Sequence, residues 1–161
     1  GDGDIDVLSA SSDDHTVAWY ENDGAQVFTK HVITTSASLV MSVFAVDLDG
    51  DWDIDVLSAS GDDNTVAWYK NDGNQVFTKH AITTTASGAY SVFAIDVDSD
   101  GDIDVLSASY NDNTVAWYEN TIPIPTSQPS SQPTSPSSQP SSQPSSQPTS
   151  PSSAPSSQPS S

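Results

Sequence analysis

The chain has no cysteine and no arginine, so its only basic residues besides histidine are three lysines. Against them stand 22 acidic residues, which give a formal net charge of −19. Without cysteine, disulfides neither stabilise the fold nor indicate its compartment. A strongly acidic surface that lacks arginine repels phosphate groups, which excludes nucleic acids and anionic membranes as partners.

Long hydrophobic runs are also lacking. No run approaches the roughly 20 apolar residues that a transmembrane helix needs, so membrane insertion is not expected. No signal peptide is visible, although the chain opens inside a repeat and an upstream signal remains an open alternative.

Proline is lacking from the first part of the chain, and charge is lacking from the rest. All 11 prolines follow Asn120, whereas all 8 glycines and all 22 acidic residues precede it. This division predicts a globular β-repeat domain over residues 1–120 and an extended tail over 121–161 that contributes no packed core.

The globular region is built from a unit of 49 residues, as the spacing of Ile5, Ile54 and Ile103 shows. Within the complete unit, alternating and β-branched or aromatic residues predict four strands, at 42–46, 56–60, 65–70 and 75–84. Nothing in the unit indicates a helix. Four strands in about 40 to 50 residues are typical of a propeller blade. The predicted fold class is therefore all-β, with about two and a half four-stranded propeller-type blades.

Between the first two predicted strands, five aspartates occupy alternate positions: Asp47, Asp49, Asp51, Asp53 and Asp55. Like charges this close repel one another unless a cation lies between them, and Ca²⁺ takes six to eight oxygen ligands from flexible loops. Asp53 is expected to offer its backbone carbonyl and the other four their carboxylates. The alternative is a solvated acidic turn that binds no metal.

Recurrence in the repeat favours the metal hypothesis. The same pattern returns as Asp96, Asp98, Asp100, Asp102 (through its carbonyl) and Asp104. A shortened copy, Asp2, Asp4 and Asp6, lacks the first two ligand positions and is interpreted as a partial site.

The acidic loop, the Val-Leu-Ser-Ala-Ser strand and the Thr-Val-Ala-Trp-Tyr strand recur together over residues 1 to about 120. In this combination the chain resembles FG-GAP/VCBS repeats, which are the calcium-binding blades of integrin α-subunit propellers and of many bacterial and algal surface proteins. The resemblance implies Ca²⁺ as cofactor, the aspartates above as ligands and an extracellular, secreted or cell-surface location. The sixth loop position, where the family prefers glycine, is Gly101 in the third unit but Trp52 in the second. Since a bulky residue at positive φ is costly, we expect a distorted or weaker second site.

Propellers close with four to eight blades, so two and a half blades predict one of two arrangements. Either the chain is part of a larger propeller, or separate chains complete one another. Head-to-tail contacts that do not close into a ring generate a filament. We therefore expect a homo-oligomer or filament, with the partial site at its junction.

The tail repeats glutamine, proline and serine without any charge. Regular proline favours polyproline II, which rises about 3.1 Å per residue. Ser/Thr-rich sequence with proline is typical of O-glycosylated stalks and resembles hydroxyproline-rich wall glycoproteins; the alternative is an unmodified linker. The predicted modification sites are Ser130, Ser131, Thr134, Ser135, Ser141, Ser142, Ser145, Ser146, Pro129, Pro133, Pro140 and Pro144.

Catalysis is not expected. The aspartates are too many and too regular for an acid–base pair, and a calcium ion would keep them ionised. His31 and His80 occupy equivalent positions, as scaffold residues do, and His15 is expected to be exposed in a turn. The repeated tryptophans, such as Trp68, are interpreted as packing residues, and Trp52 as an exposed contact residue.

Three functions remain open. The first is an extracellular, calcium-stiffened structural glycoprotein that assembles head to tail with a glycosylated tail. The second is an adhesion or carbohydrate-binding module that recognises extracellular carbohydrate or protein ligands. The third is a non-catalytic part of a larger secreted protein.

Overall fold

The computed structural model describes residues 3–122, which form an all-β structure. Ten strands follow one another along the chain: β1 (Val7–Ser11), β2 (Thr16–Asn22), β3 (Phe28–Thr34), β4 (Val40–Val46), β5 (Asp55–Ser60), β6 (Thr65–Asn71), β7 (Phe77–Thr83), β8 (Ala89–Ile95), β9 (Asp104–Ser109) and β10 (Thr114–Tyr118). No helix within this range could span a bilayer.

The strands form three antiparallel sheets in which every neighbour in sequence is a neighbour in space. The first sheet is β1-β2-β3, the second is β4-β5-β6-β7 and the third is β8-β9-β10. The repeat is preserved in the register, because Trp19 pairs with Leu8, Trp68 with Leu57 and Trp117 with Leu106. The predicted all-β fold with small propeller-type blades is confirmed.

The second sheet lies between the other two, which explains why strand β5 is buried along its whole length. Successive side chains of a strand point to opposite faces of the sheet. Leu57 and Ala59 therefore pack in the core shared with the third sheet, whereas Val56 packs in the core shared with the first. A strand buried on both faces needs small and apolar residues throughout, and Val-Leu-Ser-Ala-Ser supplies them.

Polar links join consecutive units at the turn between their second and third strands. His15 and Asn64 occupy equivalent positions there and both have positive φ, at 57° and 53°. The Nδ1 atom of His15 accepts the backbone N–H of Leu39 over 3.1 Å, and the Oδ1 atom of Asn64 accepts that of Gly88 over 2.9 Å. His15 is exposed, as expected, but it also fixes the next unit.

Several predictions fall on residues outside the described range. They are the ligand role of Asp2, the polyproline II tail and all twelve predicted modification sites of the tail. The proposed boundary at residue 120 also stays a prediction.

Candidate metal centre

The first residue of each acidic loop organises the backbone of that loop. In the second unit, the Asp47 carboxylate accepts the N–H groups of Gly50 over 2.8 Å and of Trp52 over 2.9 Å. In the third unit, Asp96 accepts those of Ser99 over 2.7 Å and of Gly101 over 3.1 Å. Aspartate readily bonds to backbone groups that follow it, which closes such a turn.

The expected distortion of the second loop is absent. Both loops take positive φ at the fourth and sixth positions, with 72° and 75° at Gly50 and Trp52, and 67° and 100° at Ser99 and Gly101. Each loop thus places one glycine and one larger residue in the left-handed region, in opposite order. Trp52 adopts this conformation because the bond to Asp47 holds its N–H, and its indole is 87% exposed, so it does not clash with other residues.

The last aspartate of each loop begins the next strand and is buried. Asp55 accepts the N–H groups of Asn71 over 2.8 Å and Leu48 over 3.2 Å, and Asp104 accepts the equivalent pair. Burial raises the pKa of Asp55 despite these bonds. At Asp104 burial also acts to raise the pKa, but the bonds outweigh it and the pKa is lowered. The second sheet is covered on both faces, which accounts for the stronger effect of burial at Asp55.

Each loop brings three carboxylates together. Ligand atoms of Asp47, Asp49 and Asp55 lie within 4.8 Å of one another, and the same holds for Asp96, Asp98 and Asp104. Asp49 is 5% exposed, and its Oδ1 atom is buried without a hydrogen-bond partner among the described residues. A buried, unsatisfied carboxylate oxygen is costly and is satisfied by a cation. An all-oxygen set with this orphan atom fits a hard dication such as Ca²⁺.

The remaining predicted ligands have other contacts. Asp51 and Asp100 accept the N–H groups of Asp53 over 3.0 Å and of Asp102 over 2.9 Å. The Asp53 side chain lies against Gly73, where an added Cβ would be only 2.6 Å from its carboxylate. In this position Asp53 would bind a metal ion through its backbone carbonyl oxygen rather than its carboxylate. The ligand roles of these residues stay predictions.

The first unit keeps part of the same arrangement. The Asp6 carboxylate accepts the N–H of Asn22 over 2.9 Å, as Asp55 and Asp104 do with their asparagines. Asp4 lies against Gly24 as Asp53 lies against Gly73, since an added Cβ there would be 2.8 Å from the Asp4 carboxylate. The partial site therefore shares its asparagine contact with both other loops and its glycine contact with the second loop.

The carboxylates of the second loop are contacted by a lysine side chain, a contact that the sequence did not predict. The Nζ atom of Lys70 bonds to Oδ2 of Asp49 and lies 3.1 Å from Oδ2 of Asp51. The bond to Asp49 raises the pKa of Lys70 to about 12. Burial acts to raise the pKa of Asp51, but the Asp53 N–H and the Lys70 ammonium outweigh it and the pKa is lowered.

The third loop contains no such lysine, and its charges act on one another. Partial loss of hydration raises the pKa of Asp98, and the neighbouring charges of Asp100, Asp104 and Asp96 raise it further. A dication bound among these carboxylates would offset the repulsion that Asp98 experiences from its neighbours.

The aromatic residues near the loops have mainly structural contacts. Trp19 stacks on His31 with ring centroids 4.3 Å apart, and Trp68 contacts His80 at 4.9 Å. Trp68 also packs against the core between the second and third sheets.

Fold and loops together define an all-β repeat module in which the blades of the second and third sheets each carry an acidic loop between their first two strands. A model of the FG-GAP-like repeat matches residues 1–58 and 47–107, which together span more than half of the 161 residues. The chain therefore belongs to the FG-GAP-like repeat family. Repeats of this family commonly bind calcium and are typical of extracellular proteins. A search of curated proteins found no match.

Proposed function

We propose that the chain is a calcium-binding structural module of an extracellular protein, without catalytic activity. The observation that carries this proposal is the gathering of three carboxylates in each of two loops, one of which includes the buried and unsatisfied Oδ1 atom of Asp49. Bound Ca²⁺ would neutralise each cluster and stiffen the turn between two strands. A dissociation constant of about 10⁻⁴ to 10⁻³ M suits an external module.

Calcium titration of the full chain tests this proposal. We expect heat of binding in calorimetry and a higher melting temperature in Ca²⁺ than in chelator, equivalent to about 2.7 kcal/mol for each occupied site at 100 times its dissociation constant. Asp98→Asn should weaken the third site about tenfold, because fewer ligand charges weaken calcium loops. Asp102→Asn is the matched control, since it removes the same charge from the same loop but keeps the carbonyl. Absence of binding up to about 10 mM would refute the proposal.

We further propose that copies of this chain associate head to tail. Val66 and Val115 occupy equivalent positions, yet Val66 is 0% exposed beneath the third sheet and Val115 is 81% exposed. On the first sheet, Val7 is 48% exposed, whereas its equivalent Val105 is 3% exposed. The two free faces thus carry the residue types that meet at the internal junctions. Further copies of the chain would cover the free faces of the first and third sheets with the same contacts that consecutive sheets make within one chain.

Sedimentation velocity over a concentration series in Ca²⁺ tests the association. We expect the wild-type chain to form larger species, and Val115→Asp to abolish them while remaining folded, because this side chain is exposed. Val76→Asp is the matched control, since Val76 is 59% exposed in a hairpin turn away from the sheet face. A wild-type chain that stays monomeric at high concentration would refute head-to-tail assembly.

A groove between the first and second sheets favours carbohydrate binding as a second candidate function. Its volume is about 300 Å³, and its lining includes Trp19, Trp52 and Phe77 beside the polar Asn71 and Gln75. Aromatic faces with adjacent amides suit a sugar ring. Binding of the wild-type chain on a glycan array, lost in Trp52→Ala, would support this role; no binding at all would exclude it.

For the tail we propose O-glycosylation of its serines and threonines and hydroxylation of its prolines. The support is the composition alone: an uncharged segment of serine, glutamine and regular proline. Mass spectrometry of the native material tests it, and unmodified Ser, Thr and Pro would refute it.

A further inference from the structure

The second acidic loop is contacted by a lysine of the neighbouring strand. Lys70 lies on β6 and bonds to the buried carboxylate of Asp49, with Asp51 also in contact at 3.1 Å. The Lys70 side chain is 38% exposed and that of Asp49 is 6% exposed. The ammonium group therefore enters the loop from solvent and reaches a buried acid of the loop.

The equivalent residue in both other units is a glutamate. Glu21 bonds to His31 on the adjacent strand over 3.0 Å, and Glu119 is exposed. The repeat therefore places a positive charge at this position in one unit and a negative charge in the others. The second and third loops have the same backbone scaffold. A difference in their calcium affinity can therefore be traced to Lys70 in one unit and Glu119 in the other.

A lysine at this position supplies the positive charge that the buried carboxylate of the loop needs. A buried carboxylate that loses its counter-charge is strongly destabilised, whereas a paired one is tolerated. Lysine supplies a compact charge on a flexible stem, which can reach such a carboxylate and can also leave it. The Nζ atom contacts Asp49, the residue whose other oxygen lacks a partner, and Asp49 belongs to the group that would bind the metal.

We propose that Lys70 is a tethered counter-ion that holds the second loop in shape without Ca²⁺ and must be displaced when Ca²⁺ binds there. This inference rests on the calcium-binding function proposed above. It makes the two sites unequal. The second loop is pre-folded at low calcium but binds the ion weakly, because only the fraction with Lys70 withdrawn is competent. The third loop, which has Glu119 at the equivalent position, depends on the ion for its order.

An exchange of the two residues tests the proposal on the full chain. Each site is observed alone by calorimetry, with Asp96→Ala and Asp98→Ala together silencing the third loop, or Asp47→Ala and Asp49→Ala together silencing the second. We expect Lys70→Gln to tighten calcium binding at the second loop about tenfold and to lower the melting temperature in chelator. Glu119→Lys should do the opposite at the third loop: weaker calcium binding and a higher melting temperature in chelator.

Lys79→Gln is the matched control, because Lys79 is exposed on the next strand and its replacement changes the net charge equally. It should leave both calcium affinities within about twofold of the wild type. If Lys70→Gln leaves the second-site affinity unchanged or weakens it while the third site still binds calcium, the tethered counter-ion is refuted and the calcium function stands. If neither loop binds calcium in any variant, the calcium function itself is refuted. Should Lys70→Gln fail to fold, Glu119→Lys decides the question.

Discussion

The side-chain amide of Asn120 donates a hydrogen bond to the carbonyl oxygen of Leu48 over 2.9 Å, across 72 positions of the chain. The same amide donates to the carbonyl oxygen of Ile103 over 3.0 Å. Leu48 lies in the second acidic loop and Ile103 in the third. One asparagine therefore joins the two candidate calcium loops, so that the position of one loop constrains the other.

Loss of this amide should destabilise the domain. We expect Asn120→Ala to lower the free energy of unfolding by about 1–3 kcal/mol, because the carbonyl of Leu48, a residue only 6% exposed, would lose its partner. Asn22→Ala is the matched control, since Asn22 bonds to Ile5 and Gly24 of its own unit. Urea denaturation measures both variants, and equal losses would contradict a special role for the link to Leu48.

The left-handed conformation of Trp52 should carry a measurable cost. We expect Trp52→Asn to raise the free energy of unfolding by about 1 kcal/mol, because asparagine adopts positive φ more readily and the indole is 87% exposed. Gly101→Ala is the reciprocal change at the same loop position, where φ is 100° and a Cβ would have open space. It should cost about 1–2 kcal/mol through backbone strain alone. If both variants were neutral in urea denaturation, strain at this position would be negligible.

The link between consecutive units at Asn64 should contribute to their stability. We expect Asn64→Ala to cost about 1 kcal/mol more than Asn113→Ala, because Asn64 accepts the N–H of Gly88 in the next unit. The two asparagines share nearly the same backbone conformation, with φ of 53° and 54°, so the cost of alanine at positive φ cancels in the comparison. Thermal unfolding of the two variants measures the difference, and equal melting temperatures would argue against the link.

Asp72 should make stability depend on pH in acid. The N–H groups of Asn74 and Val76 bond to its carboxylate over 2.9 Å and 3.2 Å, and they lower its pKa from 3.8. A lowered folded-state pKa stabilises the protein above pH 3.8, and this contribution is lost as the pH falls through the folded-state value.

Asp72→Asn should therefore melt at a lower temperature than the wild type at pH 7, and the difference should shrink below pH 3.8. Asp13→Asn serves as control, because the side-chain hydrogen bond to Asp13 comes from Ser12 alone, at 3.5 Å. A difference between Asp72→Asn and wild type that persists undiminished at pH 2 would contradict the assignment.

The strands could be predicted from the sequence because two independent signals agreed. In the middle unit, predicted strands at 42–46 and 65–70 correspond to Val40–Val46 and Thr65–Asn71. The period of 49 residues and the alternation of apolar residues both pointed to the same strands. The meeting of the first and last aspartates of each loop also follows from the sequence, since a tight loop returns its ends to one place.

What could not be predicted depends on side chains that reach across the sheet or between units. Lys70 follows Tyr69 in a strand. The only sign in the sequence that it contacts the acidic loop is that the other two units have glutamate, Glu21 and Glu119, at the equivalent position. Nothing in the local sequence connects Asn120 with Leu48, because the contact requires two sheets to be packed first. At Trp52, residue propensity argued for distortion, but the N–H bond to Asp47 kept the loop shape.

The polar links at His15 and Asn64 both run from one unit to the following one, with different side chains accepting an equivalent backbone N–H. Because every junction uses the same pair of positions, unequal recombination that adds or removes one period in the gene would create a boundary already compatible with its neighbours. Array length can therefore drift during evolution without the invention of a new interface.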